Sequence, residues 1–281
     1  MKKNNDENVP ATISQKIEKK LPSCMPFCPP MENLKKIESL ECKNILKSVC
    51  SFVKDKNLLS HIRTEEKLII LVDIVDYSKS DSQTQFANIV IFQNYLRMFL
   101  FSNSFSFKKK IRIQNFVPTG DGCYMLADKC DAKTALDFLI LMISGFESLK
   151  DYNDKSLSIR VSANFGDCIP FLDLANHQNF LGEGMNEASR ILTYGQQALE
   201  NQFLAEKFPE KTTLPAEIQS RELCAKDFSR NSLFLGDSLN SDIEFYADNA
   251  QGVYYLKDVV DKHGKTRNVT VLQGIKKIQA V

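Results

Sequence analysis

Histidine is scarce in this chain: His61, His177 and His263 are the only three in 281 residues. A zinc hydrolase or a Ser-His-Asp hydrolase is therefore a poor fit, since both lean on imidazole ligands or bases. A charge excess is missing too. With 36 basic and 35 acidic side chains the formal net charge is +1, so no global field draws the chain to nucleic acid or an anionic membrane, and any phosphate recognition must be local. Long hydrophobic runs are absent: the most apolar window after 68–75, residues 135–146, is short and contains Asp137, whereas a membrane span needs about 20 apolar residues. The N-terminus opens MKKNNDEN and stays polar to Lys20, without the apolar centre of a secretory signal, so a cytoplasmic location is expected. No long internal repeat is visible. The eight cysteines are scattered, which in a reducing compartment means free thiols, and the CMPFC pair Cys24 and Cys28 lacks the usual zinc-ligand spacing.

What is present is enough apolar material for a core, 43% of residues. Residues 1–30 are polar and then proline-rich (LPSCMPFCPP), a flexible arm ending in a rigid turn. Over 31–59, Leu34, Ile37, Leu40, Ile45 and Leu46 recur at near-helical spacing. Residues 1–60 are thus read as an N-terminal arm with one or two amphipathic helices, and 61–281 as the main domain. There a strand over 68–75 leads into a helix with Ser80 or Ser82 as its cap and Phe86, Ile89, Val90, Leu96, Phe99 and Leu100 on one face. The segments RIQNFVP and CYMLAD flank TGDG as a hairpin with Asp121 at its tip. A helix over DAKTALDFLILMISGFESLK, a strand pair in LSIRVSANFGDCIPFL broken at Gly166, and a helix from about Gly184 follow. Further strands close the chain, with DKHGKT as a hairpin turn. The order β-α-β-β-α-β-β-α, then more β, predicts an α+β fold with a mainly antiparallel sheet covered by helices.

Two aspartates interrupt the greasy strand LIILVDIVDYS, Asp73 and Asp76. Asp73 falls at the strand end and Asp121 at the hairpin tip, while Asn186 and Arg190 lie one helical turn apart. Two carboxylates, an amide and a guanidinium point to phosphate chemistry run by metal ions: close carboxylates repel unless cations sit between them, and Mg²⁺ or Mn²⁺ takes oxygen ligands while leaving room for substrate phosphates. Taken singly, each has a plainer reading: an ion-paired strand end for Asp73, a turn for Asp76, a surface polar pair for Asn186 and Arg190.

The segments LVDIVDYS, PTGDGCYMLAD, IRVSANFGD and LGEGMNEASRI resemble, in order and at fitting spacing, the class III nucleotidyl cyclase catalytic domain, across about residues 65–200. The resemblance implies the ferredoxin-like class III cyclase fold and a phosphorus–oxygen lyase that converts a nucleoside triphosphate to a 3′,5′-cyclic mononucleotide and pyrophosphate. It implies two Mg²⁺ or Mn²⁺ ions held by Asp73, Asp121 and the Ile74 carbonyl, with Asn186 and Arg190 as the transition-state pair. It also implies a head-to-tail homodimer in which the two halves of each site come from different protomers. Family positions that read the purine fall on Val117 and Asn179. Val117 has no hydrogen-bonding side chain, so neither the adenine nor the guanine code is present, and Tyr77 stands where Phe is usual. The chain is similar in this respect to the Pycsar cyclases, which make cyclic UMP or cyclic CMP in anti-phage signalling. The expectation is therefore UTP or CTP as substrate, base contacts from Tyr77, Val117 and Asn179, and a cyclic-nucleotide-sensing effector downstream. Adenylate or guanylate cyclase activity, and a catalytically silent cyclase-like regulatory domain, stand as alternatives. Lys276 and Lys277 fall near the family's pyrophosphate-binding base, without a firm alignment.

Overall fold

Strand β1 (Glu65–Ile74) is apolar at successive positions because both of its faces are covered. In the computed structural model, which describes residues 63–101, 111–149, 157–173, 178–207 and 231–275, Leu68, Ile70, Val72 and Ile74 pack into one cluster and Ile69 and Leu71 into another. The elements described all lie within the unit Thr64–Val281. The N-terminal arm expected over 1–60, with Cys24 and Cys28, and the pair Lys276 and Lys277 lie outside the described residues.

After β1 come a 3-10 turn (Tyr77–Lys79), α1 (Ser82–Phe101), the hairpin β2 (Ile113–Pro118) and β3 (Gly122–Asp128), and α2 (Ala132–Leu149). Then follow β4 (Ile159–Leu172), β5 (Gln178–Leu181), α3 (Glu183–Lys207), β6 (Ser232–Gly236), a 3-10 run (Asp237–Asn249), β7 (Gly252–Val260) and β8 (Thr266–Gln273). The sheet order is β2-β3-β1-β4-β6-β8-β7, with β5 paired to β4. Every pairing is antiparallel except β4 with β6. The protein is thus an α+β fold with a mostly antiparallel sheet and helices on both faces, as the element order predicts. Helices α1 and α2 cover one face, where Phe92, Tyr95, Leu96, Phe99, Phe138, Leu139 and Phe146 join the even positions of β1. Helix α3 covers the other, where Met185, Ala188, Ile191 and Leu192 meet the odd positions.

Local chemistry corrects several expectations. Asp81 caps α1, accepting the Thr84 N–H at 2.9 Å and its hydroxyl at 3.0 Å, so neither Ser80 nor Ser82 has that role. The buried stripe of α1 is Phe92, Tyr95, Leu96 and Phe99, while Phe86 is 72% exposed. β4 runs unbroken through Gly166. The glycine is there because α3 approaches it: a Cβ on Gly166 would lie 2.6 Å from the Gly184 Cα. Side chains of β4 hold the helix in that position, Ser162 Oγ donating to the Ala188 carbonyl at 2.7 Å and Asn164 Nδ2 to that of Gly184 at 3.3 Å.

Candidate active site

Asp73 continues the odd series of β1, so its side chain emerges on the α3 face of the sheet at the strand's C-terminal end. β1 and β3 are in register here, Asp73 opposite Gly122 and Val72 opposite Cys123. The hairpin tip closes through the Thr119 N–H donating to the Gly122 carbonyl at 3.1 Å, with Gly120 at a φ of +99° that glycine alone takes without strain. The Ile74 N–H donates to the Asp121 carbonyl at 3.0 Å, tying tip to strand end. The Asp121 carboxyl stands near enough to Asp73 for its charge to act on it. Asp73, Ile74 and Asp121 thus lie together where the hairpin tip meets the end of β1.

Burial pushes the Asp73 carboxyl up from its ordinary value; Arg160 pulls it down and Asp121 pushes it up again. Arg160 is opposite Asp73 in the β1–β4 register. Its Nε donates to Asp73 Oδ2 at 3.0 Å, and its Nη2 pairs with the same oxygen. Arg160 is the neighbour of Asp73 that sequence reasoning missed. The signal lay in IRVSANFGD, where a lone arginine interrupts a buried strand. Two close carboxylates, one largely desolvated, form a hard-oxygen donor set that fits a divalent cation. Among the described residues no three His, Cys, Asp or Glu side chains come together so as to hold a metal ion, so remaining ligands would be backbone, water or substrate oxygens.

Asp76 takes the left-handed conformation at φ 57°, pairs with Lys79 at 2.6 Å and starts the turn. Tyr77 packs against the α1/α2-face core, and its carbonyl accepts Gln85 Nε2 at 3.2 Å. Val117 packs against the α3-face cluster beside Tyr124. Asn179 lies on β5, which meets the β2 edge where Asn115 Nδ2 donates to the Gln178 carbonyl. Asn179 Oδ1 accepts the Phe180 N–H at 2.8 Å, which turns its amide NH₂ outward from that bond. Val117 and Asn179 thus lie on strands β2 and β5, which meet at Asn115 and Gln178, and Tyr77 packs at the start of the turn.

Asn186 is exposed in the first turns of α3 and Arg190 follows one turn later. Arg190 pairs with Glu183 at 2.5 Å, with Asp261 through Nε at 3.5 Å and with Glu187 at 3.7 Å. Arg267 joins Glu187 at 2.8 Å and Asp261 at 2.9 Å, and Lys265 reaches Glu183 at 3.3 Å. Arg190 therefore faces the β7–β8 hairpin. In sheet order β8 is three strands from β1, about 14 Å at ~4.8 Å per strand. Arg190 is thus held at the β7–β8 hairpin, three strands along the sheet from the strand that carries Asp73.

No protein-family model and no curated protein matches the chain. Among solved structures it is similar to the catalytic core of a rhodopsin-guanylyl cyclase with converted specificity in complex with ATPalphaS, at 14% identity and TM-score 0.43 over 76% of this chain and 99% of that one. It is similar to the guanylate cyclase domain of RhGC from Catenaria anguillulae in complex with GTP, at 16% identity and TM-score 0.42 over 76% and 100%. It is also similar to a bacterial light-regulated adenylyl cyclase, at 12% identity and TM-score 0.47 over 88% and 69%. At such identities and scores the likeness carries no argument about activity, and function has to come from the residues. No helix among the described residues is long and apolar enough to cross a membrane.

Proposed function

We propose that the protein is a nucleotidyl cyclase that converts UTP or CTP to the 3′,5′-cyclic monophosphate and pyrophosphate, acting as a homodimer and supplying a second messenger to a cyclic-nucleotide-sensing effector in anti-phage defence. The observation that carries the chemistry is the convergence of half-buried Asp73, Asp121 and Arg160 at the shared end of β1, β3 and β4.

In the reaction the ribose 3′ oxygen bonds to the α-phosphorus, the bond from that phosphorus to the bridging oxygen breaks, and pyrophosphate leaves as the 3′-hydroxyl gives up its proton. Asp73 and Asp121, with the Ile74 carbonyl, would hold two Mg²⁺ or Mn²⁺ ions, which lower the pKa of the attacking hydroxyl and neutralise phosphate charge. Arg160 balances the Asp73 charge in the resting chain and is placed to take phosphate oxygens when the carboxylate is otherwise satisfied. Asn186 orients the ribose, and Arg190 supplies planar positive charge to the α-phosphoryl group. The hold on Arg190 at the β7–β8 hairpin, three strands from β1, supports a site completed by a second copy.

Base choice follows from what the reading positions offer. Val117 neither donates nor accepts, so it leaves the purine ring edge unread. Asn179, with Oδ1 held by the backbone, offers its amide NH₂ to the 4-position of the base, where uracil has a carbonyl acceptor and cytosine an amino donor, which ranks uracil above cytosine. Complementation tests the shared site: Asp73→Ala and Arg190→Ala each lower activity with Mn²⁺ and UTP to a residual level at least about a hundredfold down while their melting stays cooperative, and mixing them restores roughly a quarter of wild-type activity, because half of random dimers carry one intact site of two. A mixture that stays inactive contradicts the two-chain site, and full activity in either variant contradicts the cyclase assignment.

A further inference from the structure

Three carboxylates surround Arg190, and they differ in how they are held. Glu183 and Glu187 stand on the same helix with side chains 58% and 30% exposed, whereas the Asp261 side chain is fully buried. Asp261 is also fixed by its own turn. Its Oδ1 accepts the N–H groups of His263 at 2.8 Å and Lys265 at 3.0 Å, and its backbone closes the hairpin through the Lys265 carbonyl at 3.0 Å and the Gly264 N–H at 2.9 Å. The other oxygen, Oδ2, faces Arg267 at 2.9 Å and the Nε edge of Arg190 at 3.5 Å.

We propose that Asp261 is the positioning residue for Arg190, fixing the Nε edge of the guanidinium from the β7–β8 hairpin so that its remaining N–H groups meet the reacting phosphoryl group. This rests on the cyclase reading of Arg190. The exposed glutamates are the exchangeable partners: an incoming triphosphate displaces Glu183 from Nη1 by offering a stronger anion, while Asp261 keeps its hold because turn backbone and Arg267 lock it. Arg267 in turn bridges Asp261 to Glu187, so hairpin and helix move as one unit. Fixing a flexible arginine beforehand removes the ordering cost at the moment of reaction.

The test uses the full chain with Mn²⁺ and UTP, or whichever of the four nucleoside triphosphates the wild type turns over, following pyrophosphate release. Asp261→Asn keeps the shape and removes the charge. The expected result is kcat lowered about 10- to 100-fold, the loss that an ångström-scale misplacement brings, with KM changed by less than about threefold. In an Arg190→Ala background the same substitution should cost less than about twofold, since Arg190 is the group it acts through. Equal losses in both backgrounds, a loss confined to KM, or unchanged kcat would overturn the proposal. Should Asp261→Asn not melt cooperatively, Asp261→Glu keeps the charge and shifts it by one methylene; the same non-additive loss is expected, and wild-type kcat in this variant overturns the proposal. If Arg190→Ala alone keeps wild-type kcat, the cyclase role of Arg190 fails and the proposal with it. If Arg190→Ala is impaired and Asp261→Asn is not, only the proposal fails.

Discussion

Gly122→Ala is the substitution for which the structure gives a worked magnitude. A Cβ at Gly122 would lie 1.9 Å from the Val72 carbonyl oxygen and 3.1 Å from the Asp73 Cα. A carbon–oxygen contact needs about 3.3 Å, so β1 and β3 must part by about 1.4 Å just where Asp73 and Asp121 meet. Backbone is on both sides of that clash, and no rotamer relieves it. Overpacking of this kind costs about 2–3 kcal/mol, which for a domain of this size lowers Tm by about 5–10 °C. Separation of the carboxylates on that scale should also cut kcat about a hundredfold. Gly145→Ala serves as the control. Its Cβ would collide with the Tyr95 hydroxyl at 1.6 Å, in α2 on the opposite face of the sheet. It should lower Tm while leaving activity per folded molecule unchanged, read from pyrophosphate release well below both melting points. A Gly122→Ala protein with wild-type Tm and wild-type kcat would refute the reasoning.

Asp73 binds its proton more tightly in the fold than an ordinary aspartate, chiefly through burial. Its ionisation therefore works against the metal-free fold as pH rises through that raised value, and a divalent cation offsets it. Mn²⁺ should raise Tm more at pH 8 than at pH 5, and Arg160→Gln, which removes the influence that lowers the Asp73 value, should move the acid limb of activity to higher pH. A Tm increment independent of pH contradicts this. Burial holds the Cys123 thiol at about 12 and the Cys130 and Cys168 thiols at about 11. Iodoacetamide at pH 8 should label all three roughly a hundredfold or more slower than an unfolded-peptide cysteine, as read by peptide mass spectrometry; fast labelling of Cys123 contradicts its placement. Asn231→Ala removes the acceptor for the Ile159 N–H at 2.8 Å and the donor to Glu147 at 2.7 Å, and should cost about 2–4 kcal/mol in denaturant unfolding, a loss below 1 kcal/mol being the contrary result.

What was legible in the sequence is what short-range chemistry writes there. The hairpin around TGDG, the DKHGKT turn, and Asn186 one turn before Arg190 each depend on a handful of neighbouring residues, and each is where local pattern put it. The α1 stripe was misread because Phe86 and Val90 fit a helical period as well as Phe92, Tyr95 and Phe99 do; only packing on α2 selects the face. Gly166 suggested a break because a glycine inside a strand marks either a bend or a close approach, and the approaching Gly184 lies on the following helix. Arg160 went unremarked because its partner, Asp73, is set by β1–β4 register across 87 positions. The Arg190 network was hidden for the same reason, its hairpin lying more than 70 positions along the chain.

The central claim is tested most directly by incubating the purified full-length protein with Mn²⁺ and an equimolar mixture of ATP, GTP, CTP and UTP and identifying products by mass spectrometry. The account predicts a cyclic pyrimidine monophosphate, cyclic UMP before cyclic CMP, with equimolar pyrophosphate, and loss of both in Asp121→Ala. Products confined to cyclic AMP or cyclic GMP would contradict the base assignment, and no cyclic nucleotide from any of the four would contradict the cyclase itself.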